Sequence, residues 1–126
     1  MFEQDYFMRL IHDLTKALAK MVFQIETETL SPYLIENQET REKTEALLLK
    51  AEQENISSAI QALSDLTEEN TLEHLLMGLV FYSVLSSQEE AYLTEHGSTP
   101  EELKNGMKQL ISRYGFSSVA DTFFFE

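Results

Sequence analysis

Apolar residues recur every three or four positions along nearly the whole chain, and this spacing constrains the fold more than any other feature. It is the period of an α-helix that buries one face. Glycine and proline are scarce, at four and two residues of 126, and no long stretch alternates between apolar and polar residues as a strand would. The sequence therefore predicts an all-α fold of about five to seven helices in a single domain, residues 1–126.

Capping residues locate most of the helix boundaries. Asn70 with Glu73, Ser87 with Glu90, and Thr99 with Glu102 have the spacing of capping boxes, and Pro100 follows Thr99 at the first helical position. Between the first two helices, Ser31 and Pro32 predict a short turn docked by Tyr33, Leu34 and Ile35. The predicted helices run from Glu3 to Gln24, from Thr40 to Glu52, from Ile56 to Thr67, from Asn70 through Leu85, from Ser87 to Gly97, from Thr99 to about Tyr114, and from Ser118 onward.

The most apolar stretch is "LEHLLMGLVFYSVL", residues 72–85. At about 14 residues it is shorter than the roughly 20 that a bilayer span needs, so it predicts a helix buried on most sides. Gly78 lies in the interior of this helix, where glycine costs stability relative to alanine. We therefore expect a neighbouring helix to pass close to Gly78.

The charge distribution argues against several classes of partner. The formal net charge is −13, and residues 51–103 contain eleven acidic residues but no lysine or arginine. Such a surface repels nucleic acids and anionic lipids, so we expect no nucleic-acid binding and no stable membrane association. Two interpretations of the acidic surface stay open: a groove for a basic partner, and a solvated face that maintains solubility, which the sequence favours.

The sequence contains no recognisable catalytic or metal-binding motif. It has no cysteine, and its three histidines, His12, His74 and His96, lie outside HExxH and ExxH patterns. The carboxylate pairs Glu69 with Glu73, Glu36 with Glu39, and Glu42 with Glu45 are typical of a polar helix surface. We expect no catalytic residue, no metal and no cofactor, and thus a protein that is not an enzyme.

The segment "EALLLKAEQENISSAIQAL", residues 45–63, resembles one tetratricopeptide unit. In that resemblance, Ala46 and Leu47 fill the close-packing positions of the first helix. Ala59 takes the small position of the second helix, and Leu63 and Leu66 follow as large residues. The resemblance implies a compact array of antiparallel helical hairpins.

Three further segments, "MFEQDYFMRLI", "FYSVL" and "SRYGFSSVADTFFF", resemble a group of small uncharacterised proteins from low-GC Gram-positive bacteria. The function of that family is unknown, so the resemblance implies no site residues. It implies a cytoplasmic, all-helical, tetratricopeptide-like protein. The first of these segments also lacks a basic region leading into an apolar one, which predicts that it is not a signal peptide.

The chain ends in an apolar segment, "ADTFFFE", where polar residues are usual. The favoured interpretation is that this tail folds back onto the first helix; the alternative is that it docks into another copy to form a homodimer. We predict a non-catalytic protein–protein interaction or scaffold protein whose partner is a protein or peptide, with a basic sequence as one option. The candidate partner-binding residues are Phe2, Tyr6, Phe123, Phe124 and Phe125.

An alternative function is that of an enzyme or a small-ligand-binding protein. It requires a cavity between the first, fourth and last long helices. Tyr82, His74 or Tyr114 would supply the polar groups of that cavity, whereas ordinary core packing would give these side chains a purely structural role.

Overall fold

The computed structural model describes the backbone of residues 2–124 and the side chains of residues 6–122. Within those limits the chain forms seven α-helices and contains no strand, which confirms the predicted all-α array. Two short 3-10 turns, Pro32–Leu34 and Thr67–Glu69, lie between helices. The helices are α1 (Phe2–Phe23), α2 (Gln38–Gln53), α3 (Ile56–Leu66), α4 (Leu72–Ser86), α5 (Glu90–Glu95), α6 (Pro100–Ser112) and α7 (Ser117–Phe124).

Helix α4 is the centre of the fold. Every residue from Leu75 to Ser83 is buried, and the helix packs against α1, α2 and α6. Helix α1 covers a second side of the core by packing on both α4 and α6, while α2 and α3 pack against each other. The sequence prediction of a helix buried on most sides is confirmed. None of the described helices is both long and apolar enough to cross a membrane.

Two glycines allow α4 and α6 to approach closely. A Cβ atom placed on Gly78 would overlap Cδ2 of Leu110, which confirms the expected close approach at this position. A Cβ atom on Gly106 would overlap the hydroxyl of Tyr82 and lie 3.1 Å from its Cζ atom. The Tyr82 ring is fully buried and packs edge-on against Phe81 at 5.1 Å, so it cannot readily move aside.

Helix starts depart from the predicted caps in four places. Thr71, not Asn70, caps α4 through its side chain and the amide of His74, because Asn70 adopts a left-handed conformation (φ 55°) that ends the preceding 3-10 turn. The Ser87 hydroxyl donates to the carbonyl of Val84 at the end of α4, so Ser87 does not start α5. The side chains of Asn37 and Asn55 cap α2 and α3 and were not anticipated.

The cap at α6 is confirmed in part. Thr99 accepts a hydrogen bond from the amide of Glu102 at 3.1 Å, with Pro100 at the first helical position. The Glu102 carboxylate does not close a capping box. It accepts hydrogen bonds from the hydroxyls of Ser57 and Ser98 instead, and the bond from Ser57 ties the start of α6 to α3.

Burial tests the details of the tetratricopeptide resemblance. Leu47, Ala59 and Leu63 are buried as predicted. Ala46 is exposed, so its assignment to a close-packing position is wrong: it lies on the outer side of α2, whose buried positions include Thr44, Leu47 and Ala51. In the short turn, Ile35 is buried but Tyr33 is 84% exposed, so Tyr33 does not dock the turn.

The C-terminal helix begins at Ser117, one residue before the predicted position. Ala120 is buried, Val119 packs against the core, and α7 lies against α6 and α1. The side chains of Phe2, Phe123 and Phe124 and the whole of Phe125 lie outside the described residues. The prediction that these rings meet the first helix or a second copy therefore stays a prediction.

The contact between α4 and α6 can be tested by substituting Gly106. Alanine favours a helix by about 1 kcal/mol over glycine, but forcing a methyl group into a filled core costs about 1–3 kcal/mol, and more where the neighbour is rigid. We expect Gly106→Ala to lower the free energy of unfolding by about 1–2 kcal/mol in a denaturant titration. Adding Tyr82→Phe, which removes the overlapping hydroxyl, should recover part of this loss.

Asn105→Ala is the matched control, because Asn105 is exposed on the same helix. It should change the free energy of unfolding by no more than about 0.5 kcal/mol. A Gly106→Ala protein as stable as the wild type would show that α4 and α6 are not in such close contact.

Candidate functional site

A groove of about 680 Å³ lies where the end of α1, the connection to α2 and the start of α4 meet. Six of its lining residues are apolar and three are polar. It is open to solvent along one side, since Leu72 in its wall is 61% exposed. Its lining consists of Phe23, Ile25, Leu34, Ile35, Glu36, Asn37, Leu72, Glu73 and Leu76.

Backbone geometry at the end of α1 forms one wall of the groove. Gln24 adopts a left-handed conformation (φ 59°), which ends the helix. The amide of Ile25 then bonds back to the carbonyl of Ala19 at 3.1 Å. This turn holds Ile25 beside Phe23, so both side chains line the groove while remaining partly exposed.

The connection between α1 and α2 forms the opposite wall and is attached to the core. The amide of Leu30 donates to the hydroxyl of Ser83 at 2.9 Å, a buried hydrogen bond between residues 53 positions apart. Leu30 itself is fully buried. This bond holds the connection against α4, and the short turn lies against α2, so contacts within the chain fix this wall of the groove.

Two carboxylates and one amide provide the polar groups of the groove. The Asn37 side chain accepts from the amide of Thr40 at 2.9 Å and so caps α2. The Glu73 carboxylate accepts from the hydroxyl of Thr40 at 3.0 Å and thereby links α4 to α2. Glu36 is exposed at the rim. Among the described residues, neither Glu36 nor Glu73 forms an ion pair.

The histidines have separate local contacts. His12 Nε2 lies 3.1 Å from the hydroxyl of Thr29, and His96 Nδ1 lies 2.7 Å from the carbonyl of Tyr92, whose ring stacks on the imidazole at 4.0 Å. His74 Nδ1 is buried without a hydrogen-bond partner. No group of three or more metal-ligating side chains occurs within the described part of the chain.

The carboxylate pairs are less regular than their spacing suggests. Asn70, in its left-handed conformation, separates Glu69 from Glu73, so these two residues do not lie one turn apart on a common helix. Glu36 precedes the start of α2 and is likewise not on the helix of Glu39. Glu42 and Glu45 do lie on α2, where both are exposed, as expected for a polar surface.

The three polar residues assigned to the alternative cavity have separate surroundings. Tyr82 lines a cavity of about 20 Å³ beside α3 and α6, which has room for a single water molecule. The Tyr114 hydroxyl donates to the carbonyl of Thr71 at 2.8 Å. Burial raises the pKa of Tyr82 and of Tyr114, as packing alone requires. Tyr82 and Tyr114 thus have separate contacts, and the alternative of a ligand cavity between the first, fourth and last long helices stays a prediction.

Of the predicted partner-binding residues, only Tyr6 has a described side chain. It is 44% exposed, and its ring centre lies 6.5 Å from that of Phe7. Phe7 in turn lies under the ammonium group of Lys104, 4.5 Å from its ring centre. Tyr6 is not among the residues that line the groove.

Sequence reasoning missed the groove, although two residues carried a signal. Leu72 occupies the first position of α4, where a polar or acidic residue is the usual choice. Ile25 lies two residues beyond the end of α1 but continues its apolar stripe. The sequence places Leu72 in a stretch that predicts a buried helix, whereas the structure leaves this side chain 61% exposed.

The fold and its groove define an all-α protein with an open, mostly apolar surface cleft. Residues 1–115 match a protein family described as Family of unknown function (DUF6483), and the chain belongs to that family. The predicted membership in an uncharacterised family is thereby confirmed. Searches of curated proteins and of solved structures found no match to this chain.

Paired substitutions on α4 can separate the groove from the core. Leu75 is fully buried, and truncating such a leucine costs about 2–5 kcal/mol. Leu72 is three residues away and 61% exposed, so Leu72→Ala should cost about 0.5 kcal/mol or less. The free energies of unfolding of the two variants, measured by denaturant titration, should therefore differ by at least about 1.5 kcal/mol.

If Leu72→Ala proved as destabilising as Leu75→Ala, Leu72 would belong to the core. The groove would then be narrower than described.

Proposed function

We propose that this protein is a non-catalytic interaction protein, and that its groove binds a short segment of another polypeptide. The observation that supports this proposal is the preformed, open groove of about 680 Å³ with the exposed Leu72 in its wall. Apolar grooves between helices commonly receive the apolar side chains of a helical or extended peptide.

The open shape favours a peptide over a small ligand. Small-molecule sites usually bury about 70–90% of their ligand, which requires a cleft that nearly closes around it. A groove whose wall includes a leucine that is 61% exposed can cover one side of a peptide but encloses a small molecule poorly. None of the lining residues is a serine, histidine or lysine, so the groove offers few groups for catalysis.

The charge of the C-terminal tail disfavours the homodimer alternative. The segment "ADTFFFE" supplies apolar side chains, but it also carries Asp121 and Glu126. Docked into the groove of a second copy, these acidic groups would approach Glu36 and Glu73, and like charges repel. The tail is therefore a poorer occupant than a segment without acidic residues.

The helical pairing of α2 with α3 and the burial of Leu47, Ala59 and Leu63 support a tetratricopeptide-like hairpin as part of this interaction protein.

The absence of cysteine from the sequence supports a reducing compartment, and we propose the cytoplasm.

A peptide selection tests the proposed function. Random peptides of about 12 residues, displayed on phage, are selected on the full-length protein and then measured individually by isothermal titration calorimetry. We expect binders whose affinity falls about tenfold or more in Leu72→Glu, because a charge in the apolar wall must be desolvated when the groove fills.

Leu49→Glu is the matched control, since Leu49 is 50% exposed on α2 and does not line the groove. It should leave affinity unchanged. Selected peptides that bind Leu72→Glu as tightly as the wild type, or a selection without any enrichment, would contradict the proposed function.

A further inference from the structure

We infer, resting on the proposed function, that the partner segment is basic: it places lysine or arginine next to its apolar anchors, facing Glu36 and Glu73. The charge of the groove is one-sided, because two of its three polar lining residues are carboxylates and none is a cation. An apolar segment that carried acidic residues would bring like charges together at this rim.

The cations nearest in sequence to the groove are already engaged elsewhere. Lys16 and Lys20 pair with Glu28 and Glu26, each at 2.9 Å, in the connection that follows α1. Lys43 pairs with Glu39 at 3.2 Å on α2. Each of these lysines is paired with its own glutamate, and none of them forms an ion pair with Glu36 or Glu73.

Arg41 is a cation that contacts residues of the groove, and its guanidinium group binds backbone carbonyls rather than a carboxylate. Its Nε donates to the carbonyl of Ile35 at 3.0 Å, and its second contact is to the carbonyl of Glu36 at 3.4 Å. Both bonds stabilise the wall of the groove. They leave the side-chain oxygens of Glu36 available to a partner.

The two carboxylates differ in how firmly they are held. One oxygen of Glu73 accepts from Thr40, so its orientation is set and the second oxygen can accept from a partner. Glu36 is exposed and loses rotamer freedom when a partner binds. A cation of the partner should therefore gain more from Glu73, which makes Glu73 the residue that sets the register of the bound segment.

A set of three designed peptides tests the charge preference. They share leucines at helical spacing over about 14 residues and differ only at the polar positions, which are all lysine, all glutamine or all glutamate. Affinities are measured by calorimetry with the full-length protein at about 0.15 M salt, where the Debye length is about 8 Å. We expect the lysine peptide to bind about threefold to tenfold more tightly than the glutamine peptide, and the glutamate peptide to bind most weakly.

Charge reversal in the groove shows whether the order of peptide affinities is set by Glu36 and Glu73 or by the overall net charge of −13. The double variant Glu36→Lys, Glu73→Lys should reverse the order, so that the glutamate peptide binds more tightly than the lysine peptide. The control Glu45→Lys, Glu52→Lys changes the net charge by the same amount at exposed positions of α2 outside the groove. It should keep the wild-type order.

The other possible results distinguish failure of the basic-partner inference from failure of the proposed function. If the control reverses the order as well, or if the lysine and glutamine peptides bind equally, the inference of a basic partner is wrong. Should those two peptides bind equally but lose affinity in Leu72→Glu, the proposed function survives without the charge preference. If no peptide loses affinity in Leu72→Glu, both proposals fail. If the wild-type protein has the mass of a dimer in solution and Leu72→Glu has that of a monomer, a second copy is the occupant of the groove.

Discussion

The burial of α4 between α1, α2 and α6 is the interaction on which the other features of this protein depend. Its unbroken run of buried residues from Leu75 to Ser83 requires neighbours on nearly every side. Fully burying a leucine or phenylalanine contributes about 1.5–3 kcal/mol, and α4 contains several such residues. Gly78 and Gly106 let α4 and α6 approach closely enough to fill the space around Tyr82. Larger residues at either glycine would separate the two helices and expose part of this core.

The groove follows from the same arrangement. Because α4 is fixed in the core, the hydroxyl of Ser83 presents a fixed acceptor for the amide of Leu30, which attaches the connection between α1 and α2. The first turn of α4 extends beyond the cover that α1 and this connection supply, and Leu72 is left partly in solvent. A firmly held wall loses little conformational entropy when a partner covers it. This geometry supports the proposal that the groove binds a partner segment.

The sequence predicts the helices far better than it predicts the groove. Periodicity located α1, α3 and α6 to within about two residues, since amphipathic spacing and caps such as Thr99 are local signals. The Leu30–Ser83 hydrogen bond and the contact of Tyr82 with Gly106 depend on how distant elements align, which spacing along the chain does not encode. The sequence predicts that Leu72 belongs to a buried helix, because the apolar stretch begins at this residue. Only the packing of α1 and the connection reveals which turn of that helix remains uncovered.

Intermolecular nuclear Overhauser effects test the central claim, that the groove is the contact surface, most directly. Full-length protein with labelled isoleucine and leucine methyl groups would be mixed with an unlabelled selected peptide. The account predicts contacts from the peptide to methyls of Ile25, Leu34, Leu72 and Leu76, which line the groove. Contacts confined to other methyl groups, with these four unaffected, would contradict it.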